Sequence, residues 1–141
     1  MHLLDINLLI ALVDPFHVHH DVALTWFIKH RFDGWGTCPI TENGFIRILS
    51  NPKYPNGPDS TNSTRELLLS LCSQPGHQFW PDSISLAHLS QYPSLPVSKH
   101  LTDYYLLALA VHHKARFVTF DKRIDPSSLK GGKEAICILN A

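Results

Sequence analysis

The order of apolar patterns along the chain predicts an α/β fold with a central, mainly parallel sheet. Short, nearly continuous apolar runs, as expected for strands covered on both faces, alternate with longer stretches of helical spacing. Four acids, Asp5, Glu42, Asp103 and Asp121, fall where a strand or turn should hand over to a helix, or where an apolar run ends.

Residues 2–5 read as a short buried strand, and 6–13 as a helix with Leu8, Leu9 and Leu12 on one side, stopped by Asp14-Pro15. A second helix is expected from about 17 to 29, its apolar stripe made of Val18, Val22, Ala23, Trp26 and Phe27, with Gly34 and Gly36 closing it. Residues 38–40 form a brief apolar step. From Thr41 the spacing of Phe45, Ile46, Ile48 and Leu49 is helical as far as Asn51-Pro52. Residues 51–62 carry three Pro, a Gly and several small polar residues, which makes them a surface loop and the segment expected to move most. Ser63-Thr64-Arg65-Glu66 has capping-box form and opens a helix faced by Leu67, Leu68 and Leu71, ending near Pro75-Gly76. Residues 77–80 read as an edge strand, 83–89 as a short helix and 92–96 as a connection. Thr102 is placed to cap a strongly apolar helix running to about His113. Residues 116–120 form the clearest buried strand, ending at Asp121, and 135–139 the last one.

A chain of 141 residues fits one domain, 1–141, able to bury about two thirds of its unfolded surface. No stretch approaches the roughly 20 apolar residues that span a bilayer, and no export signal is visible at the N-terminus, so a cytoplasmic location is expected. Cys38, Cys72 and Cys137 are far apart and odd in number, which argues against a disulfide framework or structural zinc and makes them small core residues with inert thiols. The formal charge is zero, which excludes a general cationic wrapper for nucleic acid. That balance includes the four site acids; with those neutralised by metal, basic residues outnumber the remaining acids, and the stretch from Lys99 onward carries seven Lys or Arg against four acids.

Burying an isolated carboxylate costs several kcal/mol or forces it to take a proton. Four of them among apolar neighbours call for a shared cation. Oxygen ligands without Cys or His at metal spacing select Mg²⁺ or Mn²⁺, and phosphate chemistry is the usual use of such a site. For Glu42 and Asp103 the competing explanation is local, because an acid in the first turn of a helix is favoured by the helix dipole.

Leu4-Asp5-Ile6-Asn7-Leu8-Leu9, His20-x-x-Ala23-x-x-Trp26, Thr41-Glu42-x-Gly44-Phe45-Ile46-Arg47-Ile48-Leu49-x-Asn51-Pro52, Thr102-Asp103-x-Tyr105-Leu106-Leu107-Ala108 and Val118-Thr119-Phe120-Asp121 occur in that order. This set resembles the PIN-domain ribonucleases, specifically the VapC toxins of toxin–antitoxin pairs, over nearly the whole chain. The resemblance implies a three-layer α/β/α PIN-like fold and an endoribonuclease dependent on Mg²⁺ or Mn²⁺. It further implies an RNA substrate, inhibition by a cognate VapB-type antitoxin, and a homodimer. By position the family's acids map onto Asp5, Glu42, Asp103 and Asp121, with Asp5 and Asp103 as direct metal ligands, Glu42 as a metal ligand or the residue that positions the water, Asp121 acting directly or through water, and Asn7 and Thr119 supporting the site by hydrogen bonds. Arg47, Lys53, Lys99, Lys122 and Arg123 are the candidate RNA contacts. Lys99-His100 stand where the family often carries Gly or Arg.

Other readings compete. His17, His19 and His20 invite a transition-metal site, but 19 does not share a helix face with 17 and 20, which favours surface and packing roles. Trp26, Phe27, Phe45 and Trp80 are spaced for packing rather than base stacking. A phosphohydrolase with Asp5 as nucleophile would need an acid two residues on, where Asn7 stands. A non-catalytic module whose acids hold a structural cation is the remaining alternative.

Overall fold

The computed structural model describes residues 1–140. Five parallel strands, β1 (His2–Leu4), β2 (Trp35–Thr37), β3 (His77–Phe79), β4 (Arg116–Thr119) and β5 (Ile136–Ile138), form one sheet in the order β3-β2-β1-β4-β5. Between them run α1 (Ile6–Val13), α2 (His20–His30), α3 (Pro39–Leu49), α4 (Thr61–Cys72), α5 (Leu101–His112) and α6 (Gly132–Ala135).

Alternation along each strand divides the core in two. Leu4 and Val118 point into a layer with Leu8, Leu9, Phe27, Phe45 and Leu68, contributed by α1 to α4. Leu3 and Phe117 point the other way, into a layer with Leu106, Leu107 and Leu109 of α5 and Ala135 of α6. Parallel crossovers are right-handed, so a chain that first moves outward from β1 to β3 and then returns to β4 must lay its later helices on the opposite face. The result is the three-layer α/β/α arrangement expected from the sequence. Successive strands step outward from β1 on one side and, after the return, from β4 on the other, so the gap between the carboxyl ends of β1 and β4 is the topological switch point. Open parallel sheets bind ligands at that place. α3 lies close against α1 there: a Cβ on Gly44 would collide with the Ile6 side chain.

Several boundaries differ from expectation. α2 starts at His20 rather than 17, because the Asp14 side chain accepts from Phe16 N at 3.0 Å and residues 15–19 form turns that compete with helix. Val18 is thereby left outside the stripe and 85% exposed. The brief apolar step at 38–40 is not a strand: β2 lies just before it at Trp35–Thr37, and Pro39, which lacks an N–H for the ladder, opens α3 ahead of Thr41. α4 begins earlier than the Ser63 box: Ser60 Oγ accepts from Ser63 N at 3.0 Å and caps the helix first. No helix forms over 83–89, where short hydroxyl bonds such as Ala87 N to Ser85 Oγ satisfy the backbone locally. α5 starts at Leu101, on a 3₁₀ turn over Ser98–His100, so Thr102 is a helical residue rather than the cap. Asp103 remains in the first turn.

Candidate active site

Asp5 follows β1 and caps α1. One carboxylate oxygen accepts from Ile6 N at 2.7 Å and the other from the Thr119 hydroxyl at 2.7 Å, at the end of β4. Thr119 Oγ1 in turn accepts from Asp121 N at 3.0 Å, which ties Asp5 and Asp121 to one hydroxyl across the switch point. Asp5 is 5% exposed. Burial, joined by the charges of Asp103 and Asp121, raises its pKa to about 6 against the pull of the Thr119 and Ile6 bonds. Asp103 is half-buried and also shifted upward, by burial and then by Asp121, with His100 and Arg123 opposing. Asp121 behaves oppositely. Arg123 donates to it from Nε and Nη2, both at 3.1 Å, and from its backbone N at 2.9 Å, which holds its carboxyl below the usual range.

Glu42, in the first turn of α3 and beyond the end of β2, is held on the β2–β3 side of the same edge. Its Oε2 accepts from Thr37 Oγ1 at 2.7 Å, and the same hydroxyl lies 2.8 Å from His77 Nε2. Ligand atoms of Glu42, Cys72 and His77 all lie within 4.8 Å of one another. The oxygen-only environment expected for Glu42 is corrected: β2–β3 pairing and the end of α4 bring the Cys72 sulfur and the His77 imidazole beside it. Burial, and then Glu42, push the Cys72 thiol up to about 11, while burial lowers His77.

Two hollows flank the carboxylates. One, of about 500 Å³, is lined by Asn7, His17, His19, Phe120, Asp121, Lys122 and Arg123. The other, of about 160 Å³, is lined by His100, Asp103, Tyr104 and Arg123 among others. Arg123 belongs to both. Lys122 and Arg123 are exposed beside the site, Lys99 is exposed on the turn before α5, Arg47 on the outer side of α3, and Lys53 in the following loop. His17 and His19 were read from sequence as surface and packing residues; they form a wall of the larger hollow, where the His19 ring stacks on Phe120 at 4.4 Å. The dense His spacing was the available signal, but only the turn at 15–19 aims the rings toward the site. Trp26, Phe27, Phe45 and Trp80 are packing residues, as expected.

The comparisons with known proteins show the family. The family model described as PIN domain matches residues 2–126. The chain is 41% identical over 131 residues to Ribonuclease VapC44 of Mycobacterium tuberculosis, covering 92% of each chain. It is 40% identical over 136 residues to Ribonuclease VapC39 of the same organism, covering 95% of this chain and 98% of the relative. To Ribonuclease VapC38 it is 39% identical over 121 residues, covering 86% and 85%. With acids at the switch point of a five-stranded parallel sheet, a family model spanning most of its length and these full-length relatives, the chain belongs to the PIN-domain family, in its VapC branch.

Proposed function

We propose that the chain is the endoribonuclease toxin of a toxin–antitoxin pair and hydrolyses RNA phosphodiester bonds at the edge formed by Asp5, Glu42, Asp103 and Asp121. One observation carries the site assignment: Asp5 is buried, 5% exposed, yet lies within reach of the charges of two further carboxylates, Asp103 and Asp121. Such an arrangement is unfavourable until a cation offsets it. The donor set fits a hard divalent ion, Mg²⁺ or Mn²⁺, held by Asp5 and Asp103. When bound, that ion lowers the pKa of a water and offsets charge on the leaving oxygen. Thr119 fixes the orientation of Asp5 through its hydroxyl, and Asn7 lines the adjoining hollow. Glu42, anchored at Oε2 by Thr37, keeps its other oxygen as an acceptor that orients the attacking water. Asp121, already satisfied by Arg123, serves to position that guanidinium for a phosphate. Lys122, Lys99, Arg47 and Lys53 extend the phosphate track.

The partner is a VapB-type antitoxin. An apolar groove of about 410 Å³ between α1, α2 and α4, lined by Leu12, Val13, Leu24, Phe27, Ile28 and Leu67, suits one face of an amphipathic helix. We take the toxin to be a cytoplasmic homodimer folded as a single domain; among the described residues no helix is long and apolar enough to cross a membrane. The non-catalytic alternative is not favoured, because the relatives at 34–41% identity carry the name ribonuclease.

Purified total RNA incubated with wild type and with Asp103→Asn, in Mg²⁺, in Mn²⁺ and in chelator, tests the proposal. Discrete cuts that need both the metal and Asp103 are expected. Absence of cutting by folded wild type in every condition, or full cutting by Asp103→Asn, would overturn it. Co-expression of the small protein encoded beside the gene should abolish the cuts.

A further inference from the structure

We propose that Glu42, Cys72 and His77 form a second metal site, selective for Zn²⁺ over Mg²⁺, whose occupation withdraws Glu42 from the carboxylate edge and inhibits RNA cleavage. The inhibitory part rests on the function proposed above; the site itself does not.

Three separate elements deliver the ligands. Glu42 comes from the first turn of α3, Cys72 is the last residue of α4, and His77 is the first residue of β3. Their ligand atoms already lie within 4.8 Å of one another. In a tetrahedral zinc site with bonds of roughly 2.0–2.3 Å, ligand atoms sit about 3.3–3.8 Å apart. Closure therefore asks for a contraction of about 1 Å, within the reach of side-chain rotation.

The Thr37 hydroxyl, fully buried at the end of β2, is what draws them together. It is 2.7 Å from Glu42 and 2.8 Å from His77, the two ligands on either side of it. One hydroxyl has one proton and two lone pairs, so it fully serves no more than part of this set. A cation accepted by sulfur, nitrogen and oxygen satisfies all three at once, with the thiol proton released to solvent. The mixed donor set is what distinguishes the site from the carboxylates. Mg²⁺ takes oxygen ligands and holds its waters, whereas thiolate with imidazole and carboxylate suits Zn²⁺, with a fourth position left for water. All three residues are partly exposed, which gives an ion a path in.

The test uses the metal-free, full-length chain with Co²⁺ and Zn²⁺ as probes. Co²⁺ should bring up a thiolate charge-transfer band and the visible bands of tetrahedral cobalt, and Zn²⁺ should displace it. In Cys72→Ser the charge-transfer band should vanish. In His77→Gln, which keeps the thiol, Zn²⁺ affinity should fall at least about tenfold; this variant carries the test should Cys72→Ser lose its far-ultraviolet dichroism. In Mg²⁺-supported cleavage both variants should match wild type without Zn²⁺ and need at least about tenfold more Zn²⁺ for half inhibition. A wild-type chain without the charge-transfer band overturns the site. Equal Zn²⁺ inhibition of wild type and both variants overturns the regulation and puts the inhibitory ion at the carboxylates. If Mg²⁺ supports no cleavage by any form, the nuclease reading fails, and the cobalt spectrum still decides the site.

Discussion

The two ends of the acidic edge solve the same problem in opposite ways. On the β1–β4 side Asp5 is buried and hydrogen-bonded to Ile6 N and Thr119, yet burial and the charges of Asp103 and Asp121 raise its pKa to about 6. On the β2–β3 side Glu42 accepts from the Thr37 hydroxyl and has His77 and Cys72 at hand, so an imidazole and a thiol stand beside this carboxylate. A buried acid set among further carboxylates suits an external cation. One that the fold supports is organised for orientation. The residues therefore divide by environment rather than by type, which neither their identity nor their place at helix starts reveals.

The largest expected effect separates stability from activity at the first side. Asp5→Asn keeps an acceptor for Ile6 N and places an amide where Thr119 can accept from it, while removing the charge. RNA cleavage should fall by at least about a thousandfold. The folded pKa of Asp5 lies above its ordinary value of 3.8, so its contribution to stability is fully present below about 3.8 and lost as pH rises through about 6. At pH 7.5 the metal-free variant should therefore melt several degrees above wild type, a gain that thermal unfolding of both forms checks and that should shrink at pH 4. Equal melting at both pH values would remove the contrast between the two sides.

Next comes pH. Metal and proton compete for Asp5, so Mn²⁺ affinity measured by calorimetry should be level above about pH 7 and fall up to tenfold per unit below about 6. Thr37→Val probes the other side. It removes the hydroxyl shared by Glu42 and His77 without changing the shape, and should cost about 1–3 kcal/mol in denaturant unfolding, with a cleavage loss of about tenfold, much smaller than that of Asp5→Asn. The smallest effect belongs to Arg123→Ala. Its guanidinium is on the surface, so melting should stay unchanged, while KM for RNA rises a few-fold and becomes less sensitive to salt.

Much of the fold was readable residue by residue. The strands at 2–5, 77–80, 116–120 and 135–139 and the helix 6–13 appear within a residue or so of expectation, because continuous apolar runs and helical spacing are local signals. The misses lie where two local signals competed. Ser60 and Ser63 both offered caps, Asp14 drew residues 15–19 into turns, and the hydroxyls of 83–89 satisfied the backbone before a helix could nucleate. The positions of the four acids along the chain were likewise visible, since acids flanked by apolar runs stand out.

By itself, then, the sequence determined the alternation of strands and helices, the acids at their junctions and the family pattern, all set by neighbours a few residues apart. The tertiary structure alone decided what each acid faces. Asp5 meets Thr119 across 114 residues, and Thr37 meets His77 across 40. Those meetings are fixed by strand order and register, which arise from how the two core layers pack on the sheet. No local pattern carries that information, and it is what sets Asp5 against Thr119 and gives Glu42 neighbours of its own.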